Sequence, residues 1–182
     1  MNKLVSIIIT TYNRLALLQK ALKSAQKQSY QNIEIIIVDS SDNTDTQNYI
    51  SQYKNIMYAH SGINHPNVLR NLGMQCSNGE WIAFLDDDDT WNEDKINQQV
   101  QCFQNNNIGL CFTGKNIMNN KNQKIKYSYK NGRFKSIKKS IMWDNFVGIT
   151  SSIMIHKSVI KKVGDFDESL LALQDYDFII RV

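Results

Sequence analysis

Proline is almost missing from this chain: Pro66 is the only one in 182 residues. No stretch reads as a linker, and no internal repeat is visible, so a single domain is expected over 1–182. Cysteine is scarce and odd in number. Cys76, Cys102 and Cys111 have no metal-ligand spacing and read as buried thiols of a reduced compartment, which points to the cytoplasm. No apolar run is long enough to cross a bilayer, and the N-terminus lacks a signal-peptide pattern. His60, His65 and His156 lack zinc spacing and read as structural residues. No G-x-G-x-x-G follows the first apolar run, which argues against a dinucleotide-binding dehydrogenase. A Walker lysine motif, a G-x-S-x-G elbow and an H-E-x-x-H helix are also missing.

Acidic residues are absent between Lys95 and Trp143. That interval carries Lys115, Lys121, Lys124, Lys126, Lys130, Arg133, Lys135, Lys138 and Lys139, against a net charge of only +4 for the whole chain. Such a run attracts an anionic partner: a phosphate-bearing substrate, or an acidic membrane surface to which the protein attaches peripherally. The competing reading is a solvated lysine-rich face. No nucleic-acid-binding motif accompanies the charge, so no nucleic-acid partner is expected.

What is present is an alternation of short β-branched runs with amphipathic segments. Val5–Thr10 reads as a buried strand, followed by a helix from about Arg14 to Gln28 with Asn13 as its N-cap. Ile33–Val38 is a second strand, so the chain opens on a right-handed parallel crossover. Helices are expected at Thr46–Tyr53, Val68–Cys76 and Asp94–Gln104, with strands at Ile56–Ala59, Trp81–Leu85 and Gly109–Thr113. Gly114–Tyr129 reads as a hairpin or mobile loop and Ser136–Met142 as a short helix. Ser152–His156 is a strand, a helix then closes at Gly164, and a last one opens at Gln174. This order specifies an α/β fold with a mostly parallel central sheet flanked by helices. Ligands of such sheets bind beyond the C-terminal strand ends, where Thr10, Asp39 and Asp86 fall.

The strand Trp81–Leu85 stops in Asp86-Asp87-Asp88-Asp89, with no lysine or arginine following until Lys95. Left unpaired, these carboxylates repel one another, so the cluster reads as a holder of a hard cation such as Mg²⁺ or Mn²⁺. The alternative is a solvated acidic loop.

Four segments, in order, resemble family 2 glycosyltransferases of the GT-A fold. They are Val5-Ser6-Ile7-Ile8-Ile9-Thr10-Thr11-Tyr12-Asn13-Arg14, Glu34-Ile35-Ile36-Ile37-Val38-Asp39, Arg70-Asn71-Leu72-Gly73 with Gly79 through Asp89, and Gln174-Asp175-Tyr176-Asp177. The resemblance implies an inverting, metal-dependent transfer of a sugar from a nucleotide-sugar donor, with UDP-sugars favoured. The acceptor would be a hydroxyl of a glycan or lipid-linked molecule, in surface polysaccharide synthesis. It also implies roles. Asp86 and Asp88 form the D-x-D pair, with Asp88 the direct ligand of Mn²⁺ or Mg²⁺ and Asp86 or Asp87 facing the donor ribose. Thr10, Tyr12 and Asp39 line the nucleotide pocket, Arg70 touches the phosphates or forms a structural ion pair, and Asp175 is the general base. Residues 1–113 form the donor and metal half, and 114–182 the acceptor half.

The chain departs from the family pattern in three places. Ser40 stands where a second acidic residue is frequent, Gln174 replaces the glutamate before the base, and the chain stops at Val182 where members usually continue. A non-catalytic nucleotide-sugar binding module and a sugar nucleotidyltransferase are the alternatives. The latter is disfavoured because Thr11-Tyr12-Asn13-Arg14 lacks glycine. Asp175 as a helix cap and Asp39 as a loop cap are the competing structural roles.

Overall fold

Every residue of Val5–Thr11 except Ser6 is β-branched, and this run forms the first strand, β1. Two heavy atoms on Cβ restrict χ1 and favour the extended chain. The computed structural model describes residues 3–105, 108–119 and 123–182. Lys121 of the basic interval lies outside them. The elements that follow are α1 (Leu15–Gln26), β2 (Ile33–Asp39), α2 (Asp45–Ile50), β3 (Ile56–His60), α3 (Pro66–Cys76), β4 (Trp81–Asp86) and α4 (Lys95–Asn105). Next come β5 (Leu110–Phe112), β6 (Lys115–Met118), β7 (Lys124–Ser128), α5 (Ile137–Trp143), β8 (Ile153–His156), α6 (Ser158–Val163) and α7 (Gln174–Arg181).

The central sheet runs β3-β2-β1-β4-β8-β5. The first four strands are mutually parallel, and β8 is antiparallel to both β4 and β5. The expected mostly parallel α/β sheet is therefore present. One arrangement is not local in the sequence: β8, from late in the chain, separates β4 from β5, so residues 114–182 complete the same sheet that residues 1–113 begin. The segment after β5 is the hairpin β6–β7, a separate two-stranded sheet.

Alternation along β1 sorts the core into two layers. Ile7 and Ile9 pack with Leu18, Leu22, Ile96 and Val100 from α1 and α4. Ile8 packs on the other face with Leu69, Met74, Phe84, Phe166 and Phe178, under α3 and α7. Full burial of each such side chain stabilises by roughly 1.5–3 kcal/mol. Phe166 links β4 to α7, edge-on to Phe84 at 5.4 Å and stacked on Phe178 at 4.2 Å. Gly73 lets α3 approach β1: a Cβ there would lie 2.4 Å from Ile8 Cγ2.

Two local expectations change. Asn13 is not the N-cap of α1; that position is Arg14, and it has no side-chain cap bond. Asn13 adopts φ +52° and spends its side chain on Asp42 instead: its Nδ2 donates to Asp42 Oδ2 at 2.7 Å, and its Oδ1 accepts from Asp42 N at 3.1 Å. Asn tolerates the left-handed region that this turn needs. The helix expected from Val68 also starts earlier: Pro66 occupies the first turn of α3, where its missing N–H is no loss.

Candidate active site

Strand register brings the site together. Thr10 pairs with Asp86 across β1 and β4, and Thr11 with Asp39 across β1 and β2, so all four end at one edge of the sheet. Beyond that edge lies an open cleft of about 230 Å³. Its walls include Thr10, Tyr12 and Arg14 from the β1 end, Arg70 and Pro66 from α3, and Asp86 and Asp88 from the β4 end. Five residues singled out from the sequence, Thr10, Tyr12, Arg70, Asp86 and Asp88, thus share one cavity.

The aspartates are not unpaired, as the bare sequence implied, and the cations come from elsewhere in the chain. Arg70 Nη2 lies 3.0 Å from Asp86 Oδ1. Arg14 Nη2 lies 2.6 Å from Asp87 Oδ1, its Nε donates to Asp87 Oδ2 at 3.1 Å, and its Nη1 lies 3.4 Å from Asp88 Oδ2. Arg14 was the residue that local reading missed. Its signal is its position: a cation three residues beyond the strand that register sets against β4.

Consecutive aspartates take different directions. Asp87 has no exposed side-chain surface and also accepts from Thr11 Oγ1 at 2.7 Å, whereas the Asp88 side chain is 54% exposed. Burial raises the Asp87 pKa; Thr11 and Arg14 oppose that rise without cancelling it. Asp89, closing a turn through its N–H to Asp86 O at 3.0 Å, is likewise raised by burial, against a hydrogen bond from Ser151. Ser151, buried and distant in sequence, is a second partner of the cluster. Its Oγ accepts from Asp86 N at 3.0 Å, and its carbonyl accepts from Trp91 Nε1 at 2.8 Å, so it fixes the chain on both sides of the cluster.

Asp39 stands behind the cleft rather than on its wall. It is fully buried, and its carboxylate accepts from Ser41 N at 2.8 Å, from Ser41 Oγ and from the Tyr58 hydroxyl at 2.9 Å. Burial, then the Asp39 carboxylate, pushes the Tyr58 hydroxyl far above its usual range. Tyr12 donates to Asp42 Oδ2 at 2.8 Å, which raises the Tyr12 pKa and ties the β1 and β2 loops together.

Arg70 is buried, lies 5.6 Å from the Phe166 ring centroid, and donates to Asn67 Oδ1 at 3.3 Å. Its buried Nε has no hydrogen-bond partner among the described residues. Asp175 is in the first turn of α7, where its Oδ1 accepts from Tyr176 N at 2.8 Å. It does not line the cleft directly. The loop before it is tied to α3: His65 contacts Leu170 O at 3.2 Å, and Asn67 donates to Asp167 O at 2.6 Å. Those bonds hold the 167–170 loop, which leads into α7, against the start of α3.

Among the described residues, no three His, Cys, Asp or Glu side chains form a group able to hold a metal alone. Asp86 and Asp88 nevertheless present carboxylate oxygens to one cleft that also holds Arg70, the donor chemistry of a hard cation shared with an anionic ligand.

The family model of Glycosyl transferase family 2 matches residues 6–164. An uncharacterised glycosyltransferase of Rickettsia conorii is 35% identical over 124 residues, covering 66% of this chain and 20% of that protein. The Escherichia coli protein UDP-Glc:alpha-D-GlcNAc-diphosphoundecaprenol beta-1,3-glucosyltransferase WfaP is 36% identical over 114 residues, 61% of this chain and 45% of that protein. The chain therefore spans less than half the length of these relatives. Among solved structures, S. aureus TarS 1–349 in complex with UDP-GlcNAc superposes with a TM-score of 0.76 at 20% identity, covering 97% of this chain and 52% of TarS. The mannosyltransferase PcManGT from Pyrobaculum calidifontis, in complex with GDP-Man and Mn²⁺, gives 0.70 at 14% identity, covering 98% and 51%. At such identities the likeness is one of fold.

Proposed function

The chain belongs to glycosyl transferase family 2, and from that premise we propose that it transfers a sugar from a nucleoside-diphosphate donor, a UDP-sugar by preference, to a hydroxyl of a glycan or lipid-linked acceptor in surface polysaccharide synthesis. The observation that carries this reading is the meeting of Thr10, Tyr12, Arg14, Arg70, Asp86 and Asp88 around one cleft at the C-terminal strand edge. A diphosphate is repelled by bare carboxylates. It would be accommodated beside two arginines and a divalent cation that the cleft carboxylates would hold.

Asp88, the most exposed of the paired aspartates, is the residue to hold Mn²⁺ or Mg²⁺, and Asp86 faces the donor ribose. The bound cation would act as a Lewis acid that stabilises the departing diphosphate. Arg70 neutralises Asp86 at the wall of the cleft. Thr10 and Tyr12 line the nucleotide side. Asp39 and Asp87 support it from behind, the former through the Ser41 backbone and the latter through Thr11 and Arg14.

Asp175 is the general base. The acceptor oxygen bonds to the anomeric carbon as the bond from that carbon to the phosphate oxygen breaks. The hydroxyl proton passes to the Asp175 carboxylate, and the anomeric centre inverts in one displacement. The protein acts in the cytoplasm, a reading supported by its three partly buried cysteines, which carry no metal-ligand spacing. Among the described residues no helix is long and apolar enough to cross a membrane.

Calorimetric titration of UDP with Mn²⁺ tests the assignment. Binding is expected for the native chain, and Asp88→Asn is expected to abolish its Mn²⁺ dependence. Unchanged metal-dependent binding in Asp88→Asn would refute the role given to Asp88.

A further inference from the structure

The cleft leaves the basic interval beyond β7 unused. There, α5 buries only Ser140 and Ile141 and is anchored by the Tyr176 hydroxyl, which donates to Ile141 O. Its outer side is apolar and open to water: Ile137 is 76% exposed, Met142 63% and Trp143 64%. Met142 and Trp143, with the half-exposed Phe134, edge a shallow hollow of about 500 Å³, whose walls also include Lys138 and Lys139. Arg133 stacks its guanidinium 5.0 Å from the Trp143 ring, and Lys135, Lys138 and Lys139 are exposed around it. Among the described residues, none of these four cations pairs with a carboxylate; only Lys130, at the margin, meets Asp144 at 2.7 Å.

An exposed tryptophan and two aliphatic side chains inside a collar of unpaired cations match one environment in both respects. Tryptophan settles at the headgroup level of a bilayer, aliphatic side chains enter the acyl boundary, and lysine and arginine attract anionic headgroups. A sugar-stacking platform fits less well, because Arg133 already covers the Trp143 ring and Phe134 meets it edge-on at 6.1 Å. An acidic protein partner would satisfy the cations without accounting for three apolar side chains held outward by one short helix.

We propose that α5 and the segment before it form a docking site for an anionic phospholipid surface. Ile137, Met142 and Trp143 enter the headgroup–acyl boundary, while Arg133, Lys135, Lys138 and Lys139 hold headgroup phosphates. Because α5 packs on α7, docking would turn the Asp175 end of the molecule toward the membrane, a consequence that rests on the function proposed above. The docking itself does not.

Co-sedimentation of the full chain with vesicles tests it. Vesicles of phosphatidylglycerol and phosphatidylcholine are expected to bind the protein, and vesicles of phosphatidylcholine alone to bind it far more weakly. Replacing two exposed cations, Lys138→Gln with Lys139→Gln, is expected to lower the partition coefficient about 25-fold, or about fivefold per charge. Brominated acyl chains are expected to quench fluorescence that Trp143→Phe removes. Far-ultraviolet circular dichroism and UDP binding are expected to be unchanged in these variants, so failure here is distinguishable from failure of the donor-site assignment. The proposal is overturned by no vesicle binding, by equal binding to both lipid mixtures, or by binding indifferent to the Gln pair. It is also overturned by a lipid-free dimer that Trp143→Ala dissociates, which would assign the surface to a second copy of the chain.

Discussion

Arg14→Ala isolates the contact that holds the acidic cluster in shape. The substitution removes the 2.6 Å and 3.1 Å contacts to Asp87 and the 3.4 Å contact to Asp88. Asp87, with no exposed side-chain surface, keeps only the Thr11 hydroxyl at 2.7 Å. Breaking a wholly buried pair costs about 3–5 kcal/mol, and an exposed pair contributes about 0–1 kcal/mol. The Arg14 side chain is 49% exposed and its charge is partly screened, so a loss of about 2 kcal/mol at pH 7 is expected, between those limits. For a chain of this size that corresponds to a fall in Tm of about 4–8 °C.

The sign of the pH dependence follows from Asp87. Burial already raises its pKa, and losing Arg14 removes an opposing influence, so the folded variant holds a proton that the unfolded chain releases. The variant's deficit is then full above the folded pKa of Asp87 and shrinks as the pH falls toward the unfolded value of about 3.9. Urea unfolding followed by tryptophan fluorescence at pH 7 and pH 5, in a cycle with Asp87→Asn, measures both effects. A loss below about 0.5 kcal/mol, or no coupling between the two sites, would refute the claim that Arg14 organises the cluster.

Three further outcomes follow from the same geometry. Asp175→Asn is expected to leave UDP and Mn²⁺ binding intact and to slow sugar transfer by roughly 10²–10⁴-fold; weakened calorimetric binding would move Asp175 into the donor site. Burial lowers the pKa of Lys95 to about 7, against about 10.4 in the unfolded chain, so stability should rise from about pH 7 to pH 10 as the unfolded state takes up the extra proton. Lys95→Met should flatten that rise, and parallel urea-midpoint curves for the two proteins would count against it. Gly73→Ala forces a methyl to within 2.4 Å of Ile8 Cγ2 and should cost about 1–3 kcal/mol at an unchanged denaturant slope.

The parts of this molecule that could be read directly are those in which one residue pattern has one physical solution. The β-branched runs of β1 and β2 and the apolar run of β4 have no stable place except a buried sheet, and the register of β1 on β4 then brings Thr10 to Asp86. Less legible were the features set by partners distant in sequence. Which aspartate of the cluster turns inward depends on Thr11 and Arg14, more than seventy residues earlier. Asp39 was readable as an edge residue, but not its orientation, which Ser41 and Tyr58 decide. Asn13 looked like a cap because its type favours one; Asp42 competes for the same side chain and takes it. The place of β8 beside β4 had no local signal, because a short apolar strand fits either side of a half-built sheet.

That placement has a consequence for the order in which the protein is made. The chain emerges from the ribosome with β4 at the border of a four-stranded sheet, its outer backbone groups open to any extended neighbour. Ser151, which satisfies the Asp86 amide, and β8, which covers that border, are synthesised about seventy residues later. Until then the nascent chain carries an adhesive rim next to its most charged turn, and the aspartates there discourage stray pairing before the proper neighbour arrives.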